Sequence, residues 1–170
     1  MQRNGILIMS GFAALWFVWG LSALGSFPAI LLLVPVMISG GLIGFALRLP
    51  GHASPEIRRR VGRIVGRASA IEFVAIFLAN IVLASTGHAG YSVCATAGIV
   101  GLHFFPLAHY LRVPSYYVAG AALVALAVAG CAMDRDQTRL MTVGLGAAAL
   151  LWITCLASFT RKTDAGFLTA

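Results

Sequence analysis

Charged residues are scarce in this chain of 170 residues. They make up 10% of it, whereas soluble domains carry about 25%. Only five residues are Asp or Glu, hydrophobic residues reach 60% and the mean hydropathy is +0.94. A soluble domain, a disordered tail, a collagen or a coiled coil would each need a charge, glycine period or heptad pattern that is missing. The composition therefore predicts an all-α, polytopic membrane protein.

Motifs that name a chemistry are also missing. The chain has no glycine-rich phosphate loop with a lysine, no H-E-x-x-H and no G-x-S-x-G. Cys94, Cys131 and Cys155 form no C-x-x-C and have no histidine at zinc-finger spacing, so we interpret them as apolar filler. No two predicted spans each supply a histidine for a haem. We expect no metal or cofactor and can name no catalytic residue, which leaves enzymatic activity open.

Six apolar runs are long enough to cross a bilayer, which takes about 20 helical residues. They predict a single six-helix transmembrane domain over residues 1–170, with spans near residues 6–24, 28–47, 68–85, 91–111, 115–133 and 140–159. The first run contains Trp16 and Trp19 and is longer than the apolar core of a signal peptide. We therefore interpret it as a retained span.

The basic residues are distributed unequally between the two faces that six spans define. Arg135 and Arg139 lie on one face. Ten lie on the face that carries both termini: Arg3, Arg48, Arg58, Arg59, Arg60, Arg63, Arg67, Arg112, Arg161 and Lys162. The positive-inside rule then predicts cytoplasmic N and C termini. Topology and anionic lipid explain the charge, so we expect no nucleic-acid partner.

The composition also suggests where the protein is found. Eleven of the twelve basic residues are Arg, and Ala, Gly and Val are abundant. This usage is typical of a GC-rich bacterial genome. We therefore expect a multi-pass protein of a bacterial inner membrane.

The longest connection, between spans two and three, reads as an amphipathic helix over residues 54–67. Ser54 can cap it, Pro55 suits the first helical position and Glu56 favours the positive helix start. Apolar residues then share one face, and arginines fill the rest: Ile57, Val61, Ile64 and Val65 against Arg58, Arg59, Arg60, Arg63 and Arg67. The pattern predicts a basic helix on the membrane surface that contacts anionic lipid head groups.

Polar residues inside the predicted spans provide the candidate site. Glu72 is the only acidic residue there, and Asn80 shares its helical face. Span four carries His103 and His109 with Pro106 between them, which predicts a kink. The rise of 1.5 Å per residue puts Glu72 and both histidines on the cytoplasmic side of the midplane. If spans three and four pack antiparallel, Glu72 and His103 can pair as a proton, ion or ligand site.

A second group of residues is predicted at the cytoplasmic mouth, where it could contact anionic head groups: Arg48, Arg58, Arg112, Tyr116 and Tyr117, near His109. Small residues, including Gly40 and Gly44 in a G-x-x-x-G, predict close helix packing within the chain or between copies.

Three functions are compatible with these residues. The first is a transporter or channel in which Glu72 and His103 couple protons or ions, in a homo-oligomer. The second is a protein or intramembrane enzyme that binds a lipophilic molecule or a lipid head group. The third is an accessory subunit of a membrane complex that uses the polar pair only to hold helices together.

Overall fold

The structure is a computed structural model that describes residues 2–48 and 54–160, without the side chains of Gln2, Ile57, Arg58 and Thr160. The described chain is helical, with short 3-10 turns between some of the helices. Its α-helices are α1 Gln2–Leu21, α2 Leu33–Leu47, α3 Pro55–Ser85, α4 Ser92–Leu111, α5 Pro114–Cys131 and α6 Asp136–Thr160. Six helices of the described chain are long and apolar enough to cross a membrane, which confirms the prediction of an all-helical fold with six candidate membrane spans.

Two helix pairs form the centre of the bundle, and glycines allow each pair to approach closely. A Cβ atom added to Gly20 of α1 would lie 2.8 Å from the backbone nitrogen of Leu145 in α6. One added to Gly120 of α5 would lie 2.7 Å from the carbonyl oxygen of Gly101 in α4. Side chains larger than hydrogen would separate these backbones. The two pairs pack together through contacts of α6 with α4 and α5.

Helices α2 and α3 lie at the periphery. Helix α2 packs mainly against α1, and α3 packs mainly against α4. No residue in the apolar part of α3, Arg59–Ser85, is buried within the chain. Ile71 and Phe77 on this helix are 72% and 66% exposed, as expected of side chains that face lipid.

The G-x-x-x-G of α2 also faces outward. A Cβ atom added to Gly40 or Gly44 would meet nothing within 4 Å. The described residues 2–48 and 54–160 therefore do not make the predicted close packing at this motif. Contacts that use it would have to come from lipid or from another molecule.

The basic segment is helical as predicted, but it is not a separate element. It forms the start of α3, which runs without interruption from Pro55 to Ser85. Val61, Ile64 and Val65 are half-buried, in agreement with the predicted amphipathic faces. Four arginines near them are exposed: Arg59, Arg60, Arg63 and Arg67. A helix of 31 residues is about 46 Å long, which exceeds the roughly 30 Å of a hydrocarbon core.

Both described ends of the chain lie at one end of the bundle. The rings of Phe45, near the end of α2, and Phe159, near the end of α6, are 4.7 Å apart. The hydroxyl of Tyr116, at the start of α5, lies 3.2 Å from where a Cβ atom on Gly5 would be. We call this the basic end, because Arg48 and Arg112 end α2 and α4 there.

Candidate functional site

Glu72 and His103 face each other across the interface between α3 and α4. The distance from Glu72 Oε2 to His103 Nε2 is 3.5 Å, and the two side chains are 14% and 10% exposed. The imidazole also lies near the backbone of Ala68, one helical turn before Glu72. The structure thus places together the two residues that depth and antiparallel packing predicted to be neighbours.

The contact between the two groups is loose. A separation of 3.5 Å exceeds the 2.7–3.2 Å usual for an N–H···O hydrogen bond. Among the residues that the structure describes, none donates a hydrogen bond to the Glu72 carboxyl group. The carboxyl group is therefore mostly removed from solvent but keeps unused capacity to accept hydrogen bonds.

Pro106 lies three residues after His103, inside α4. The helix continues through it from Ser92 to Leu111. Because proline has no backbone N–H, the carbonyl of Leu102 loses its usual partner four residues later. The carbonyl oxygen of Leu102, the residue before His103, is therefore a second group that can accept a hydrogen bond.

Asn80 is not part of this pair. It lies eight residues beyond Glu72, about 12 Å along the helix axis. Its Nδ2 donates to the carbonyl of Ile76 at 2.8 Å and to Thr96 Oγ1 on α4 at 3.4 Å. Asn80 therefore connects α3 to α4 at a different level of the bundle.

His109 lies at a second location, the turn between α4 and α5. A cavity of 280 Å³ there is lined by Ala108, His109, Arg112, Pro114 and Tyr117. His109 is exposed and lies about 9 Å along the helix axis from His103. Of the residues predicted at the mouth, the structure groups Arg112 and Tyr117 with this histidine.

The other predicted mouth residues lie elsewhere. Tyr116 is half-buried, and its ring contacts that of Phe104 with 5.4 Å between centroids. Arg48 is exposed at the end of α2 and does not line the cavity. Arg58 is in α3, but its side chain lies outside the described part of the structure.

Arg139 is the most deeply buried charged side chain described, and the sequence did not single it out. It is 2% exposed. Its Nε donates to the carbonyl of Gly130 and its Nη1 to that of Gly90, both at 3.2 Å, and further bonds reach the carbonyl of Met133 and the carboxylate of Asp136. The guanidinium carbon also lies 3.9 Å from the centroid of the Tyr91 ring. The spacing of Asp136 and Arg139 was the only local hint of this cluster.

A polar network of the apolar core was also missed. Ser39 Oγ of α2 donates to the carbonyl of Ser10 in α1 at 2.8 Å, and Trp152 Nε1 of α6 donates to Ser39 Oγ at 3.0 Å. Ser10 Oγ lies 3.7 Å from Cys155 Sγ. These bonds hold α2 against α1 and α6, and no sequence pattern indicated that the residues would meet.

Neither a metal site nor a similarity to known proteins indicates what this geometry does. No cluster of three His, Cys, Asp or Glu side chains suited to a metal ion occurs within residues 2–48 and 54–160. No protein-family model, curated protein or solved structure matches the chain. The function is therefore inferred from the residues themselves.

Proposed function

We propose that the protein is a small membrane transporter or channel in which Glu72 and His103 form a proton- or ion-coupling site. The observation that supports this proposal is the contact of a carboxyl group and an imidazole, 3.5 Å apart and mostly buried, between two apolar helices. Ionisable groups at such positions are costly and usually serve a function. Both groups can take up and release a proton.

The carboxyl group has the open coordination that a transient ligand needs. It has the imidazole on one side and no hydrogen-bond donor among the described residues. A proton, a cation or a water molecule could occupy the remaining lone pairs, as expected where a buried polar group lacks a protein partner. Pro106 leaves the carbonyl oxygen of Leu102 without its usual donor, and Leu102 directly precedes His103 in the sequence.

The peripheral position of α3 favours a role as a helix that moves relative to the rest of the bundle. This helix packs mainly against α4, and its apolar part buries no residue within the chain. A shift of α3 along α4 would change the environment of Glu72 without disturbing the paired helices of the core. Small sliding of packed helices is a common way to open and close a site.

The proposal includes an oligomeric state and an orientation in the membrane. Six helices leave little room for a pathway inside one chain, so we propose a homo-oligomer with the outward glycines of α2, Gly40 and Gly44, at its contacts. The arginine distribution orients the basic end towards the cytoplasm of a bacterial inner membrane.

The alternative that Glu72 and His103 only hold two helices together has less support. Asn80 and Thr96 already supply a hydrogen bond between α3 and α4, at 3.4 Å. The contact of Glu72 with His103, at 3.5 Å, is about as long, so the two helices are connected at Asn80 with or without it. Within the described residues, no group of side chains that could hold a metal ion supports enzymatic activity.

The experiment that tests the proposal compares Glu72→Gln with Glu56→Gln in liposomes. Both variants remove one acid from α3, but Glu56 is exposed in its first turn. Under an imposed pH gradient, with a pH-sensitive dye inside and K⁺ or Na⁺ outside, we expect E72Q to lose flux and E56Q to keep it. Amide replaces carboxyl at nearly the same size, so the fold should be retained.

The result that would contradict the proposal is equal flux in the wild type and E72Q. Flux at the level of empty liposomes in the wild type would also contradict it. Size-exclusion elution and thermal unfolding of both variants are the controls for assembly. The oligomer mass is read from the same preparation by native mass spectrometry.

A further inference from the structure

Two of the three cysteines of the chain, Cys94 and Cys131, lie side by side where α4 begins and α5 ends. Cys94 is in the first turn of α4, and Cys131 is the last residue of α5. The thiol of Cys94 lies near that of Cys131, and both residues line one cavity of 320 Å³. The third cysteine, Cys155, is buried in α6 beside Ser10 of α1. The chain therefore contains one pair of neighbouring thiols and one separate thiol.

The packing of α4 against α5 explains why the two side chains meet. These consecutive helices have a short connection and run in opposite directions, so one turn back along α4 matches one turn forward along α5. A Cβ atom added to Gly98 of α4 would lie 3.7 Å from the Cβ atom of Ala127 in α5. Cys94 and Cys131 are each four residues, about one helical turn, beyond that contact. Disulfides join Cβ atoms about 3.5–4.5 Å apart, so a cysteine pair in this register is suited to a disulfide.

Gly130 makes room for the side chain of Cys94. A Cβ atom added to Gly130 would lie 2.8 Å from Cys94 Sγ. The sulfur therefore lies against the residue directly before Cys131. Because the shared cavity leaves space beside the pair, rotation about χ1 can bring the two sulfur atoms together.

Arg139 fixes the two backbone segments that carry the pair. Its guanidinium group donates to the carbonyl of Gly130 in α5 and to that of Gly90, before α4, both at 3.2 Å. Gly130 is next to Cys131 in the sequence, and Gly90 is four residues before Cys94. A network that holds two reacting groups close together raises the effective concentration of one for the other. This arrangement favours a bond between the two sulfur atoms.

The pair lies at the end of the bundle opposite the basic end, since α4 ends and α5 begins at the basic end. Cys131 is exposed and lies three residues before the exposed Asp134, whereas Cys94 is buried. A disulfide reagent in water can therefore reach Cys131 first. Under the proposed orientation this end faces the periplasm, an oxidising compartment in which disulfides persist.

We propose that Cys94 and Cys131 form a disulfide at the periplasmic end of the protein, where it fixes the start of α4 to the end of α5. The inference rests on the orientation that is part of the proposed function, but it does not depend on Glu72 or His103. The oxidant is a protein or small molecule that itself contains a disulfide.

The reaction is a thiol–disulfide exchange in two steps. Cys131, as the thiolate, attacks one sulfur of the oxidant, which forms a mixed disulfide and releases the first oxidant thiolate. The sulfur of Cys94 then attacks that of Cys131, and the second oxidant thiolate leaves. The two protons of the cysteine thiols pass to the two released thiolates, and the two electrons reduce the oxidant disulfide to two thiols.

The state of the pair in the cell is read by labelling thiols with N-ethylmaleimide while a Gram-negative host that expresses the full chain is lysed in denaturant. Intact mass spectrometry counts the labels before and after reduction. In the wild type we expect one label, on Cys155, without reduction and three with it. The matched control Cys155→Ala should carry none without reduction and two with it. Cys131→Ser should carry two in both conditions.

Thermal unfolding of the purified protein measures what the disulfide does. We expect reduction to lower the unfolding temperature of the wild type and C155A by about 5 °C or more, because the bond closes a loop over residues 94–131. Reduction should leave the unfolding temperature of C131S unchanged. An equal response of the wild type and C131S would contradict the proposed link between the helix ends.

Three labels on the unreduced wild type would overturn the proposal. Oxidised glutathione, added to that protein in detergent, would then show which premise failed. Closure of the disulfide would mean that this end faces a reducing compartment and that the proposed orientation is wrong, while the flux comparison of the wild type with E72Q would be unaffected. No closure would mean that the two thiols do not meet. A dimer mass that reduction removes would also overturn the proposal, because Cys131 would then link two copies.

Discussion

The molecule buries charge in two different ways, at Arg139 and at Glu72. The guanidinium group of Arg139 donates to three backbone carbonyls and to Asp136, and it lies against the ring of Tyr91. Among the residues that the structure describes, the carboxyl group of Glu72 makes one ion-pair contact, with His103 at 3.5 Å. One buried charge is surrounded by partners, and the other is left with little compensation.

Under the proposed function, this difference distinguishes a structural buried group, Arg139, from a functional one, Glu72. Removing a charge from water costs several kcal/mol, which only good geometry and further hydrogen bonds can offset. Arg139 meets that condition and connects the end of α5 and the start of α6 with Gly90, before α4. Glu72 does not meet it, so its presence in an apolar helix needs another reason.

Replacement of Arg139 should have the largest effect on stability. Arg139→Met keeps much of the side-chain volume but leaves the carbonyls of Gly130, Gly90 and Met133 without this donor. We expect the free energy of unfolding to fall by about 3 kcal/mol, as for other broken buried charge networks. Denaturant unfolding in detergent micelles, followed by circular dichroism, measures the change.

The control for this prediction is Arg135→Met, which removes an exposed arginine from the same turn between α5 and α6. It should change the unfolding free energy by less than about 0.5 kcal/mol. Equal losses in the two variants would mean that overall charge at this end, rather than the hydrogen bonds of Arg139, stabilises the fold.

Replacement of Asn80 should have a smaller effect. Asn80→Leu removes the bond to Thr96, and hydrogen bonds between membrane helices contribute about 0.6 kcal/mol on average. Thr96→Val should cost a similar amount, and the double variant should cost little more than either single one. A loss of unfolding free energy above about 2 kcal/mol would contradict this expectation. The bond between Asn80 and Thr96, rather than Glu72, would then be the main polar contact that holds α3 in place.

Local sequence patterns were sufficient to predict the helices of the overall architecture. The apolar runs predicted six helices, because in lipid a backbone must satisfy its own hydrogen bonds. The pairing of Glu72 with His103 followed from helix rise and from the packing of consecutive helices. Gly62 and Gly66 did not interrupt α3, since each glycine costs a helix only about 1 kcal/mol relative to alanine.

Contacts between distant residues could not be read from the sequence. Arg139 meets Gly90 across 49 positions, and Trp152 meets Ser39 across 113. Asn80 was grouped with Glu72 because both share a helical face. Both do face α4, but Asn80 lies about 12 Å further along the helix, where its partner is Thr96. The left-handed backbone of Arg112, at the turn between α4 and α5, was hidden because the usual glycine is absent from that turn.

Replacement of Glu72 by an apolar residue should destabilise the fold little or not at all, although E72Q is expected to abolish flux. Glu72→Leu removes the desolvation cost of the carboxyl group and loses only a loose contact. We expect the free energy of unfolding to stay within about 1 kcal/mol of the wild type or to rise, as at other functional sites that reduce stability. The combination with His103→Leu should show coupling below about 1 kcal/mol in a double-mutant cycle. A loss near that of R139M would instead give the two buried charges the same role, with Glu72 holding α3 against α4.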